Sequence, residues 1–250
     1  MAKTNKKNEV LGTHMTIAGH LEDFRRRLIY MLLGVGISIV VCLFFCNRLI
    51  FLIRIPYVSV MTAAGLEPRL QSLAPSDGFI TYVRISVLTG LILSSPWAFY
   101  HLWRFIAAGL YSSEKRLINL AVPVSTALFI SGSLFFIMVV APFTLRFFII
   151  FNQKMLGIDS AFTFEKYISF IVSMMLVFGF AFQTPTAIFF LNKIGIVSLE
   201  NLCEARKYVL LTIFVIAAIL TPPDVVSQVT LAVPLYLLFE LGILISYIKN

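Results

Sequence analysis

Charge is scarce in this chain, and negative charge most of all: there are 12 Asp and Glu against 20 Lys and Arg, and only 13% of residues are charged. Between Asp77 and Asp159 the one carboxylate is Glu114. Histidine and cysteine occur three times each. His14, His20 and His101 are widely separated, so no metal-ligand spacing and no nucleophile–base pair can be read from them. Cys42 and Cys46 share a helix face and Cys203 is distant, which rules out a disulfide framework and leaves packing as their expected role. No glycine-rich phosphate loop is present, so neither a cofactor nor a metal is expected. The net charge of +8 is spread through short segments between apolar runs, which argues against nucleic-acid binding. No internal repeat is visible.

What the chain does have is apolar length. Hydrophobic residues make up 59% of it, 24 of them Phe, and the mean hydropathy is +0.93. A water-soluble domain of this size could not hide that surface. The expected fold is an all-α integral membrane protein, a single transmembrane domain of six helices at about 28–46, 85–106, 117–141, 167–192, 208–220 and 225–247. Residues 1–19 are polar and read as a disordered cytoplasmic tail. In residues 20–28, Glu22 pairs with Arg26 and Asp23 with Arg27 at helical spacing, while Leu21, Phe24 and Leu28 share the other face. This predicts a short interfacial helix. The run from Leu28 to Cys46, 19 residues, is too long for a signal-peptide core and lacks a cleavage site after it.

The segment from Arg48 to Arg84 reads as the longest loop, with Asp77 capping a helix that begins near Gly78. Pro96 breaks the second span. The charge-free run from Leu117 to Leu145 exceeds what a bilayer requires, so part of it tilts or projects. The fifth span has only 13 residues before Thr221-Pro222-Pro223-Asp224. It reaches roughly 20 Å against a hydrocarbon core of about 30 Å. The charge-free part of the sixth, Val225 to Phe239, is also short. These two helices either do not cross a normal bilayer or thin it locally.

Six spans place both termini on one side. Of the 20 Lys and Arg, 13 fall on the side of the termini and 7 on the other, which predicts cytoplasmic termini. On that same side lies Ser95 to Arg116, which runs through an aromatic collar (Tyr100, Trp103, Tyr111) into a charged hairpin holding Glu114, Lys115 and Arg116.

Five stretches, in order, resemble the TatC family, the multispanning subunit of the twin-arginine protein translocase. They are His20-Leu21-x-Asp23-Phe24-Arg25-x-Arg27-Leu28, Pro75-x-Asp77-x-Phe79, Pro96 through Arg116, Leu220-Thr221-Pro222-Pro223-Asp224-Val225-x-Ser227-Gln228, and Pro234-x-Tyr236-x-x-Phe239-Glu240-x-Gly242. Three positions depart from the family pattern. Asp23 and Asp77 stand where Glu is usual and keep the charge. Gln183 stands where span 4 often carries Glu, so no carboxylate is available there to carry a proton.

The resemblance implies a receptor for signal peptides bearing two consecutive arginines, exporting folded proteins on the membrane gradient rather than acting as an enzyme. A guanidinium fork seeks a fixed carboxylate, and the implied readers are Asp23 and Glu114, with Arg25, Arg27, Phe105 and Arg116 around them. The plainer reading pairs Asp23 with Arg27, and Glu114 with Lys115 or Arg116. Implied partners are twin-arginine signal peptides of folded cargo, TatA- and TatB-type single-span subunits, further copies of the chain, and membrane lipid. The implied location is the bacterial inner membrane, a thylakoid being the less favoured one. Gln183 beside Pro185 either satisfies the carbonyl of Ala181 that the proline frees, or marks a polar patch where a partner helix docks, with Thr221, Pro222, Asp224 and Gln228 as the outer part of that surface. Glu240 is expected to face protein or the interface rather than lipid. A secondary transporter would show repeated halves and midplane charges. A membrane protease would need a serine and a histidine together, whereas Ser131-Gly132-Ser133 reads as a helix-packing site.

Overall fold

The computed structural model describes residues 17–108, 115–157, 162–220 and 225–248. Almost all of them are helical, as backbone groups in hydrocarbon require. The first helix, α1, runs unbroken over Ile17–Ala63, 47 residues. At 1.5 Å per residue it is about 70 Å long, more than twice the hydrocarbon thickness. Two expectations fall here. Residues 20–28 are not a separate interfacial helix, because no glycine or proline interrupts them and the Asp23–Arg27 pair supports continuous helix. The segment after Arg48 is not loop, because charge ends an apolar run without ending a helix. Helix α1 ends where Gly65 takes φ +74°, a left-handed turn that suits glycine. There Leu66 N–H reaches the Met61 carbonyl and Gly65 N–H the Thr62 carbonyl, both at 3.0 Å, a Schellman cap.

Helix α2 (Asp77–Leu93) meets α3 (Ser95–Ala108) at a bend of 50°. Pro96 sits in the first turn of α3, where its missing N–H costs nothing, so the expected break lies just ahead of it. Asp77 does not cap α2 in the expected way. Its Oδ2 accepts from the N–H groups of Leu73 and Ala74, at 3.0 and 2.8 Å, and so fixes the turn before the helix. Helix α4 (Lys115–Phe135) passes through a wide turn at Phe136–Val140 into α5 (Ala141–Phe151) and a second wide turn at Asn152–Leu156. Pro142 cannot donate to the turn before it, and Ala141 N–H reaches back five residues to Phe136, which absorbs the defect. The helix continues past Leu145 to Leu156.

Helix α6 (Phe164–Ala181) breaks from α7 (Thr184–Lys193) at Phe182–Gln183, ahead of Pro185. The short α8 (Leu199–Glu204) leads to α9 (Arg206–Leu220) and α10 (Val225–Ile248). Helix α9 has 15 residues and reaches only about 22 Å. At the end of the molecule away from Asp23, two short parallel strands, β1 (Leu70–Gln71) and β2 (Phe162–Thr163), pair Leu70 with Phe162 and Gln71 with Thr163. The core between α1, α2, α6 and the α4–α5 helix is built on Tyr57, Ile85, Phe136, Ile149, Ile168 and Phe178, all essentially unexposed. Around it large apolar side chains face outward, among them Phe44 at 82% and Ile219 at 77% exposure, the surface of a protein solvated by lipid.

Candidate functional site

The first turns of α1 lie against α3. The Trp97 indole donates from Nε1 to the Tyr30 carbonyl at 2.8 Å, and its ring fills the notch left by Gly34, where a Cβ would collide with it. Tyr30 and Trp97 both touch His101, with ring centroids 5.8 and 4.6 Å away. One turn nearer the chain start, Phe24 meets Phe105 at 5.1 Å. Arg104 donates to the Tyr100 hydroxyl at 2.8 Å and lies over that ring. These aromatic contacts hold α1 and α3 as one corner, and the charged residues of the first motif project from it.

Within the corner Asp23 Oδ2 accepts from Arg27 Nε at 2.7 Å, and both side chains are about four-fifths covered. The plainer reading of Asp23 is therefore the geometry found. A guanidinium bound through Nε leaves its two terminal nitrogens free to act elsewhere, and a carboxylate bound through one oxygen keeps accepting capacity on the other. Arg25 is exposed on the opposite side of the helix. Arg26 lies over the Tyr30 ring, its guanidinium 6.0 Å from the centroid. Glu114 lies outside the described residues. Arg116 belongs to the first turn of α4, and its side chain also lies outside them.

Gln183 sits at the α6–α7 break and donates from Nε2 to the Ser125 carbonyl of α4 at 2.9 Å. It does not turn back to Ala181, because the break swings the amide toward the neighbouring helix. Ser125 Oγ in turn accepts from Trp103 Nε1 at 2.9 Å. One serine thus links α3, α4 and the break, and Trp103 packs on Phe190 of α7 at 4.2 Å. Pro185 is buried and lines an apolar cavity of about 250 Å³ between α4, α7 and α10. Gln228 donates to the Phe214 carbonyl at 2.9 Å and ties α10 to α9. Thr221, Pro222 and Asp224 lie outside the described residues.

Glu240 faces protein. Its two oxygens accept from Arg206 Nε and Nη2, each at 2.9 Å, and Oε1 also accepts from the Tyr236 hydroxyl at 2.9 Å. Sequence reading left this partner unnamed, although a signal was there. Where two consecutive helices pack antiparallel, positions equally far from the end of the first and the start of the second face each other, and Glu240 falls opposite the start of α9. A second tie was also missed. Arg84 of α2 donates to Ser169 Oγ at 2.6 Å and to Glu165 at 3.3 Å. It lies at the end away from Asp23, where both charges read only as loop residues.

Residues 19–234 match the family described as "Sec-independent protein translocase protein (TatC)". A protein of that name from Desulforapulum autotrophicum is 36% identical over 225 residues, covering 90% of this chain and 82% of the relative. The Escherichia coli K12 protein of that name is 34% identical, covering 91% of this chain and 86% of its own. A solved structure described as a twin arginine translocase receptor, TatC, superposes with a TM-score of 0.81 at 33% identity, covering 92% of this chain and 98% of that one. A second, in the detergent DDM, gives 0.82 at 32% identity, covering 91% and 99%.

Proposed function

This chain belongs to the TatC family of Sec-independent protein translocase proteins, and from that membership we propose that it is the signal-peptide receptor and scaffold of a twin-arginine translocase. The observation that carries this reading is the α1–α3 corner. There a largely covered carboxylate, Asp23, already holds one guanidinium through Nε, beside an aromatic wall that ends at Phe105. A site that binds one arginine in this manner has the chemistry to bind another. Glu114, which follows α3 in the sequence, is the proposed second carboxylate. An arriving Arg pair competes with Arg27 for Asp23 and gains charge-assisted, fork-shaped contacts that a lysine ammonium cannot match. The positive charge of Arg25 and Arg27 beside Asp23 would keep other cations away, and Arg116 is proposed to act likewise near Glu114.

The topology that goes with this reading has six spans: α1, the bent α2–α3, α4 with α5, the broken α6–α7, α9 and α10. The bias of Lys and Arg supports cytoplasmic termini and a cytoplasmic Asp23 corner in a bacterial inner membrane. TatA- and TatB-type subunits are the proposed partners. Their single helices would dock beside the short α9 and the Gln183–Ser125 link, where the bilayer is thinnest. Energy would come from the membrane gradient.

The test is equilibrium binding of the full chain in detergent to synthetic signal peptides carrying Arg-Arg or Lys-Lys. We expect the wild type to favour Arg-Arg by roughly tenfold, the size of one charge-assisted hydrogen bond. Asp23→Ala and Glu114→Ala should each erase that preference. If the wild type, supplemented with the single-span subunit, still treats the two peptides alike, the receptor reading is wrong.

A further inference from the structure

A groove of about 500 Å³ runs between the last turns of α1 and helix α5, at the end of the molecule away from Asp23. One wall is Val60 and Ala63; the other includes Phe143 and Ile150. Arg146 of α5 and Lys154 of the wide turn that continues it stand on the groove side, at positions that successive turns bring to one face. No carboxylate lines the groove, and among the described residues neither cation takes part in an ion pair. The groove is therefore a basic site with apolar walls.

The surroundings choose the ligand. Phe143 is 58% exposed, Met155 75% and Leu156 55%, and these lie on the helix that carries the two cations. Water does not tolerate such a surface on a helix this long, so α5 runs along lipid. The continuous helix Asn119–Leu156, 38 residues, is about 57 Å long, so its last turns reach the headgroup level of a bilayer. Lysine and arginine in that position extend their stems over apolar surface and place their charge among phosphates.

We propose that this groove is a binding site for an anionic phospholipid, the phosphate held between Arg146 and Lys154 and the upper acyl chain seated against Val60, Phe143 and Ile150. The bound lipid would complete the packing of α1 on α5 along this groove. The inference does not depend on which peptide the Asp23 corner reads.

The experiment is native mass spectrometry of the full chain in detergent, titrated with phosphatidylglycerol or phosphatidylcholine of identical acyl chains. The wild type should retain phosphatidylglycerol at roughly tenfold lower concentration, from two basic contacts at the headgroup. R146Q/K154Q should bring the two lipids to near equality while melting at the wild-type temperature without lipid. R48Q, an exposed cation outside the groove, should keep the preference, as should the charge-conserving R146K. A double variant that still prefers phosphatidylglycerol would overturn the proposal. So would displacement of the bound lipid by an equal concentration of inorganic phosphate, which would mark a site for the free anion.

Discussion

At the end away from Asp23, buried tyrosines give their hydroxyls to backbone carbonyls: Tyr167 to Ile53 and Tyr57 to Arg69, at 2.8 and 2.9 Å. Two strands pair beside them, and Arg84 spans from α2 to α6. At the Asp23 end α1 and α3 are held by ring contacts and one indole hydrogen bond, and the Asp23–Arg27 pair lies within a single helix. The first end ties separate helices together through hydroxyl, guanidinium and strand hydrogen bonds; the second keeps carboxylate and guanidinium capacity in reserve. The receptor proposed above would need both. One end must fix where the helices stand, because lipid gives them little reason to associate. The other must leave charges that a ligand can take over without unfolding the helices that carry them.

The sharpest way to break this contrast is to unseat the corner. Gly34→Val places a branched side chain where the Trp97 ring lies. It should cost about 2–3 kcal/mol through overpacking and the lost indole bond, and it should shift the tryptophan fluorescence. Melting in detergent at wild-type temperature with an unchanged spectrum would mean that α1 is not pinned at Trp97. A smaller effect is expected at the other polar tie on this side of the molecule. Glu240→Leu or Arg206→Leu leaves its former partner unpaired beside apolar helix, and each should lower the melting temperature. The double variant should recover part of the loss, because removing both charges also removes their cost. Additive losses would show that the two residues do not act as a pair.

The break in the second span was legible in the sequence, whereas the fourth, expected as one run over 167–192, is broken as well. Pro96 and Pro185 each lack a donor, and the helices part just ahead of them, as the chemistry of the imide requires. The reach of α1 was not legible. Arg48 and Arg54 look like the edge of a membrane, yet a helix continues through charge when its far turns pack on a neighbouring element, as Ile53 and Tyr57 do on Tyr167. The Asp23–Arg27 pair followed from local spacing and was foreseen. The Gln183–Ser125 bond is tertiary: it depends on how far the break rotates the amide, and no local pattern encodes that angle. The Glu240–Arg206 pair falls between these cases, since the hairpin register predicts it once both short helices are taken as antiparallel.

The measurement that bears most directly on the division between the two ends compares Asp23→Asn with Glu165→Gln in the full chain, recording melting temperature and Arg-Arg over Lys-Lys peptide preference on the same samples. Asp23→Asn should lose the preference with a stability change within about 0.5 kcal/mol, as for an i,i+4 pair on one helix. Glu165→Gln should lower the melting temperature and leave the preference intact. If Asp23→Asn keeps the preference while Glu165→Gln abolishes it, the recognition end has been placed at the wrong side of the molecule.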